Sequence, residues 1–354
     1  MGFVSLYTAF SGLQAAQAGM DTASHNVSNA GTTGFTRQRV DQASRLPGYR
    51  SFGPVGTGVD ITDITRSRDG MLDARARTAL GGENHFATLG YLLSGVEAAM
   101  AEPANGVTGG LDALWGSFEE LALNPPDSAA RHGVINNLQT LTARIRNVAE
   151  GWQAAGQAAI SDVTAQVAET NQLLQEVAEL NRSILQSGAD DFTPNDLLDK
   201  RDIAVDQLSR LAGVRVSITH SGAARVSLDG LAVVHDAVAS QLSFDPGTNQ
   251  IVHSAGVSVD AGGSLGAHQG FLATVLPQYQ ADLDAFVEDL AAALNTQHAA
   301  GFTPAGAAGG PLVAYSPGSA ALTIDVAVTD PGELAVAAGG PPVAEFDGLN
   351  AEAF

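Results

Sequence analysis

The side chains best suited to chemistry are scattered through this sequence. Eight histidines, at 25, 85, 132, 220, 235, 253, 268 and 298, lie at least 15 residues apart, whereas a metal helix needs two ligands about one turn from each other. There is no cysteine, which excludes disulfide staples, thiolate nucleophiles and Cys-ligated metals. HExxH, GxSxG and GxxxxGKS/T are all absent, so neither a zinc helix, a nucleophile turn nor a phosphate cradle is encoded locally. Gly53, Gly56 and Gly58 mimic a phosphate loop, but no strand-then-helix context surrounds them, and a glycine-rich turn explains them better. Asp190, Asp191, Asp196, Asp199 and Asp202 mimic a calcium loop, but the EF-hand spacing fails. Thr193–Pro194 reads instead as a helix start, with Thr193 as N-cap and Asp196 closing a capping box. No catalytic residue, cofactor or metal site is expected.

Composition points the same way. The 354 residues carry 17 basic and 38 acidic side chains, a net charge of −21. Residues 1–225 hold all 17 basic and 24 of the acidic ones, and residues 226–354 hold none basic and 14 acidic. Without Lys and Arg to neutralise phosphates, a groove for nucleic acid or anionic lipid is not expected in the second half. The first basic residue is Arg37, and Ser5, Thr8, Ser11, Gln14 and Gln17 interrupt the apolar residues before it. Neither a cleaved signal peptide nor a membrane span is therefore expected.

What remains is interaction architecture. The first 30 residues read as one helix with a heptad seam, Phe3, Phe10, Gln17 and Ser24 alternating with Leu6, Leu13, Met20 and Val27. Gly12 and Gly19 each weaken it by about 1 kcal/mol, so the helix needs a partner surface. Residues 31–82 are broken by glycine and proline, with a short strand at Val59–Ile64 and a helix near Asp69–Leu80. Residues 84–212 are helical. Within them Ile160, Val167, Leu174 and Asn181, interleaved with Val163, Thr170, Val177 and Ile184, form a coiled-coil seam of about four heptads. Gly213 stops the next helix. At 214 the period changes to two, and Ser221–Gly222, Asp229–Gly230 and Asp245–Pro246–Gly247 supply the turns of a small antiparallel module. Helix resumes over 270–298 with Leu276, Tyr279, Leu283, Phe286, Leu290 and Leu294 on one side, and Leu322, Ile324, Val326 and Val328 alternate as one later strand.

The fold class expected is α+β and multidomain: an elongated helical, coiled-coil rod domain with an inserted antiparallel β domain and a β-rich C-terminal segment. The expected divisions are 1–82 for the axial helix and extended region, 83–213 for the helical rod and 214–268 for the β insertion. Residues 269–300 return to the rod, and 301–354 form a Gly/Pro/Ala-rich β segment.

Asn26-Val-Ser-Asn29-Ala-Gly-Thr-Thr-Gly34-Phe35, after Ser11-Gly-Leu-Gln-Ala-Ala-Gln17, resembles the signature of bacterial flagellar rod, hook and hook-associated proteins, with Phe35 where tyrosine is usual. Asn26 and Asn29 suit a helix end, and Gly34 suits a turn of positive φ. Thr36-Arg37-Gln38, Gly56–Val59 with Arg68-Asp69, and Asn124-Pro125 with Ala130-Arg131 resemble the hook-associated protein 1 family more narrowly. So do Asn195-Asp-Leu-Leu-Asp-Lys-Arg-Asp202 and Leu276–Gln280 to Asn295 and Gly301, extending the resemblance over about residues 1–303. The resemblance implies a non-enzymatic junction subunit between hook and filament, extracellular, exported through the type III apparatus without signal cleavage. It implies as partners the hook protein, the second junction protein (hook-associated protein 3), further copies in a ring and an export chaperone. Phe3, Leu6, Phe10, Leu13, Met20 and Val27 would form the assembly interface, with Asn26, Asn29, Gly34, Phe35, Arg37 and Gln38 as the axial motif. Such proteins end in a helix that pairs with the first one, and the helical pattern does not return after Ala300. A hook or distal-rod protein shares the Asn26–Phe35 signature, and a secreted adhesin or effector using the axial export signal is the reading of another class.

Overall fold

A computed structural model describes residues 2–51, 53–100, 106–187 and 193–354, with side chains from residue 5 onward. In chain order its elements are α1 (Gly2–Ser28), β1 (Gln38–Ser44), β2 (Gly48–Arg50), β3 (Gly53–Val55), β4 (Val59–Arg66), α2 (Gly70–Met100), α3 (Val107–Leu123), α4 (Ser128–Ser187) and α5 (Asn195–Ala212). Seven strands follow: β5 (Arg215–Ile218), β6 (Ala224–Leu228), β7 (Leu231–His235), β8 (Val238–Ala239), β9 (Leu242–Asp245), β10 (Gln250–His253) and β11 (Ser258–Val259). Then come α6 (Gly263–Gly270), a π turn at Phe271–Val275, α7 (Leu276–Ala299), β12 (Val313–Ala314), α8 (Ala320–Thr323), β13 (Asp325–Val326) and α9 (Leu349–Glu352). This is an α+β fold of long helices and small antiparallel sheets: β1–β4, the β2–β3 hairpin, β5-β6-β7-β8, β9-β10-β11 and β12–β13. The chain forms two compact units, residues 1–88 with 162–269, and residues 89–161 with 270–354.

In the first unit, β1 pairs with β4 across a bulge at Asp41/Gln42. The helical stretches read at 69–80 and from 84 are one helix, α2. Gly81 and Gly82 do not break it, because Gly81 lies where a Cβ would sit only 3.0 Å from the Ser209 carbonyl of α5. The glycine is there for close approach rather than as a stop. Gly213 ends α5 in the left-handed region, φ 63°, its N–H returning to the Ser209 carbonyl. The capping box expected at the other end of α5 is not formed. Thr193 donates its hydroxyl to Asp63 of β4 instead, at 2.7 Å, and α5 starts at Asn195 without a side-chain cap.

The α4 seam is buried from Val163 to Ile184, including Thr170 and Asn181. Its polar member Asn181 engages the β module as well as Arg201 of α5. Asn181 donates to the carbonyls of Ala224 and Asp236 at 2.8 and 2.7 Å and accepts from Ala224 N–H at 2.8 Å. Asn171 clasps Leu242 of β9 in the same two-way manner, at 2.8 Å each. Both asparagines occupy backbone groups that would otherwise be buried without partners.

The second unit has its own core: Leu114, Phe118 and Leu121 of α3, Val134–Ile145 of α4, Val287, Ala291 and Leu294 of α7, and Leu312, Ile324 and Leu334 beyond. The face of α7 is in part the expected one: Leu276 and Leu294 are buried and Leu283 and Leu290 pack against the core, whereas Tyr279 and Phe286 stay exposed and Val287, Ala291 and His298 are buried as well. The strand expected over Leu322–Val328 is also not continuous. Asp284 of α7 accepts from Ala321 N–H at 2.7 Å and holds residues 320–323 as a helical turn, leaving two residues for β13.

Candidate assembly surface and the clamp behind it

Within the first unit α1 rests on β1 and β4 through small and polar residues. Ser11, Ala15 and Thr22 are buried, and Ser11 Oγ accepts from Val59 N–H at 3.2 Å while donating to Thr8. The apolar seam faces the other way. Leu6, Tyr7, Phe10, Leu13, Met20 and Val27 are 54–78% exposed, a row of large apolar groups left in water. The side chain of Phe3 lies outside the described residues. A contiguous apolar stripe of this kind marks an interaction face.

The axial motif turns the chain from α1 into β1. Asn26 pairs both ways with the backbone of Gln38, 2.8 Å for each bond. Asn29 donates to the His25 carbonyl at 3.1 Å. Gly34 has φ +79° and faces Ile203 of α5 so closely that a Cβ would overlap it. Phe35 sets its ring edge-on to His25, with centroids 5.3 Å apart. Arg37 is exposed, and its carbonyl receives Ser67 N–H at 2.9 Å.

Behind this turn lies a cluster that sequence reasoning did not find. Asp202 of α5 accepts from Arg66 at 2.7 Å and from Arg68 and Arg77 at 3.1 Å. Asp199 accepts from Arg66 at 2.7 Å and from Thr36 N–H at 3.0 Å. Arg68 is also held by Asp73, and Arg77 by Asp206. The carboxylates share one face because 199, 202 and 206 follow helical spacing, and no arginine in the cluster is more than about a quarter exposed. For Arg68, burial opposes the charge, but the bond to Asp73 and the Asp202 charge outweigh it and raise the guanidinium's pKa.

Arg201 points to the opposite side of α5. It donates to Gly222 O at 2.7 Å and Asn181 Oδ1 at 3.3 Å. Burial, countered by Asp202 and reinforced by the charges of Arg66 and Arg77, lowers its pKa to about 10. One stretch, Asp199–Asp202, thus fastens the motif turn on one side and the α4–β6 junction on the other. Asp190 and Asp191 lie outside the described residues. Among the described residues no three His, Asp or Glu groups converge on a metal position, and no helix is long and apolar enough to cross a membrane.

In the first unit a helical stripe of α1 is left in water, and the arginine–aspartate clamp lies behind the turn that follows it. Residues 6–36 match the family of flagella basal body rod proteins. Residues 93–313, more than half of the chain, match the helical domain of flagellar hook-associated protein FlgK. The chain belongs to the flagellar hook-associated protein 1 family. It is 28% identical over 359 residues to flagellar hook-associated protein 1 of Bacillus subtilis (strain 168), covering 89% of this chain and 71% of the relative. The corresponding protein of Salmonella typhimurium is 28% identical over 313 residues, covering 83% of this chain and 56% of the relative. The solved flagellar hook junction protein FlgK from Burkholderia pseudomallei superposes with a TM-score of 0.61 at 27% identity, over 70% of this chain and 47% of that one. The chain therefore spans between about half and seven-tenths of the proteins it matches.

Proposed function

We propose that this chain is a junction subunit between hook and filament, acting by packing rather than by chemistry. The carrying observation is the reversed burial of α1, with its small polar face docked and its apolar face exposed from Leu6 to Val27. At about 1.5–3 kcal/mol for each large apolar side chain removed from water, covering this row drives association strongly. The cover comes from the terminal helices of neighbouring copies in a ring and of the adjoining axial subunits, the hook protein on one side and hook-associated protein 3 on the other. Before assembly the same stripe needs an export chaperone to keep it from aggregating. The protein works outside the cell and arrives there without signal cleavage.

The test is electron microscopy of isolated flagella with antibody against residues 214–260, in cells carrying the native chain or Leu13→Asp. A single narrow band between hook and filament, lost with Leu13→Asp while the exported protein accumulates folded in the medium, is the expected result. Label along the whole hook would support the axial alternative, and normal assembly by Leu13→Asp would refute the stripe as the interface.

A further inference from the structure

Beside the exposed stripe, a cleft of about 580 Å³ opens between the C-terminal half of α1, the ends of β1 and β4, and the first turn of α5. Its walls are rich in acceptors. Asp21, Asp63 and Asp196 contribute carboxylates, and the one titratable base is His25, whose Nε2 lies 3.7 Å from Asp196. At the wall sits Asn195, 7% exposed. Its Nδ2 donates to the Ile64 carbonyl, and its Oδ1 is buried with no hydrogen-bond partner among the described residues. An orphaned buried acceptor is costly, about 1–3 kcal/mol. A single metal ion does not suit the cleft, since the carboxylates do not converge on one point. A guanidinium does, because its five N–H groups spread over a planar fork and meet separated acceptors together.

The same unit presents such a group. Strand β2 of the β2–β3 hairpin ends at Arg50, which has no ion-pair partner among the described residues, and carries Tyr49 at 86% exposure, with Leu46 just before it at 89%. Exposed tyrosine next to arginine is the composition of an interface anchor. We propose that the α1–α5 cleft is the socket for Arg50 of a second copy of this chain. The contact is heterologous, hairpin to cleft, and therefore propagates from copy to copy into a ring or helical array rather than stopping at a dimer. This rests on the self-association part of the reading above and gives it a registered polar contact next to the apolar stripe.

Unlabelled and ¹⁵N-labelled chains, each with p-benzoylphenylalanine in place of Tyr49, are mixed at high concentration. Oligomers are followed by sedimentation, and photo-cross-linked peptides by mass spectrometry. Cross-links joining the hairpin of one isotope to residues 21–25 or 193–197 of the other are expected. Arg50→Glu should cut their yield about tenfold or more, the equivalent of one charge-assisted bond, and adding Asp196→Arg should restore it. Oligomers cross-linked elsewhere, or indifferent to Arg50→Glu, overturn the socket while leaving ring formation standing. Absence of any oligomer overturns both.

Discussion

Asp202 is the residue on which the clamp converges, so its loss is the sharpest test of whether α5 holds the axial segment in place. In Asp202→Ala three charge-assisted hydrogen bonds disappear, from Arg66, Arg68 and Arg77. Each arginine keeps one carboxylate: Asp199 for Arg66, Asp73 for Arg68 and Asp206 for Arg77. Removing one partner of a buried pair costs about 3–5 kcal/mol when the other is stranded. Because none is fully stranded here, the lower end applies, about 3 kcal/mol. The loss should be local, opening residues 36–39 and 64–77 away from α5 before the unit as a whole unfolds.

Tryptophan fluorescence will not report it, since Trp115 and Trp152 both lie in the second unit. Amide exchange read by mass spectrometry will. About 3 kcal/mol corresponds to roughly a hundredfold faster exchange in peptides covering 64–77, with peptides of 130–149 unchanged. Asp60→Asn supplies the control. Its partner Arg45 is 39% exposed and Asp60 itself 53%, a class of surface pair contributing at most about 1 kcal/mol. If Asp202→Ala changes exchange no more than Asp60→Asn does, the cluster is a solvated set of ion pairs and the clamp argument fails.

Three further outcomes follow from other buried polar groups. Asn181→Ala removes four hydrogen bonds to Ala224, Asp236 and Arg201, and should destabilise the β5–β8 sheet by about 3 kcal/mol, seen as faster exchange over 215–239. Arg131→Lys loses the fork that reaches the carbonyls of Pro125, Pro331 and Leu334 at 2.8–3.1 Å. Burial already lowers that guanidinium's pKa, and the urea midpoint by tryptophan fluorescence should fall by the equivalent of about 2 kcal/mol. His298 accepts from Ala335 N–H at 2.8 Å through Nε2 and so bonds Gly310 O through Nδ1–H, an arrangement only the neutral ring makes. Burial, partly offset by the Gly310 bond, holds its pKa below 6.5. The unfolded chain then binds the proton more readily, so His298 stabilises the second unit above about pH 6.5 and that stability is lost as pH falls through the folded value. The fluorescence midpoint should decline from pH 7 to 5.5 in the native chain and stay flatter in His298→Asn; parallel slopes would refute it.

Much of this is written in local pattern. The stripe from Leu6 to Val27, the seam from Val163 to Ile184, the Gly213 stop and the turn at Gly34 each follow from period, propensity or sterics within a few residues. The misread parts depend on distant partners. Thr193 fails as a cap because Asp63, 130 residues earlier, takes its hydroxyl. Residues 320–323 coil because Asp284 lies beneath them. The clamp was hidden because Arg66 and Asp202 are 136 positions apart. A signal for it existed nonetheless: aspartates at 199, 202 and 206 make one acidic helix face, and such a face beside Arg66, Arg68 and Arg77 is a pairing waiting for a fold.

The positions that carry the family resemblance mostly bond within the chain. Asn26 and Gln38 bond each other, Gly34 faces Ile203, Asp199–Asp202 hold the arginines, and Arg131 pins the Asn124–Pro126 turn to the loop at 331–334. Each fixes where an element sits. The stripe on α1, by contrast, is chemically generic, requiring only large apolar side chains at heptad spacing. On the proposed role of the stripe, specificity of assembly resides in how it is presented: its angle, set by the Asn26–Gln38 turn, and its anchorage, set by the clamp. A chain with the stripe intact and the clamp broken should still be adhesive but should build the wrong geometry. Asp202→Ala in cells is therefore expected to yield exported protein that sticks to hook ends without supporting straight filament growth, whereas Leu13→Asp yields protein that does not bind at all. Identical phenotypes for the two variants would place presentation and adhesion in the same residues and refute the division of labour.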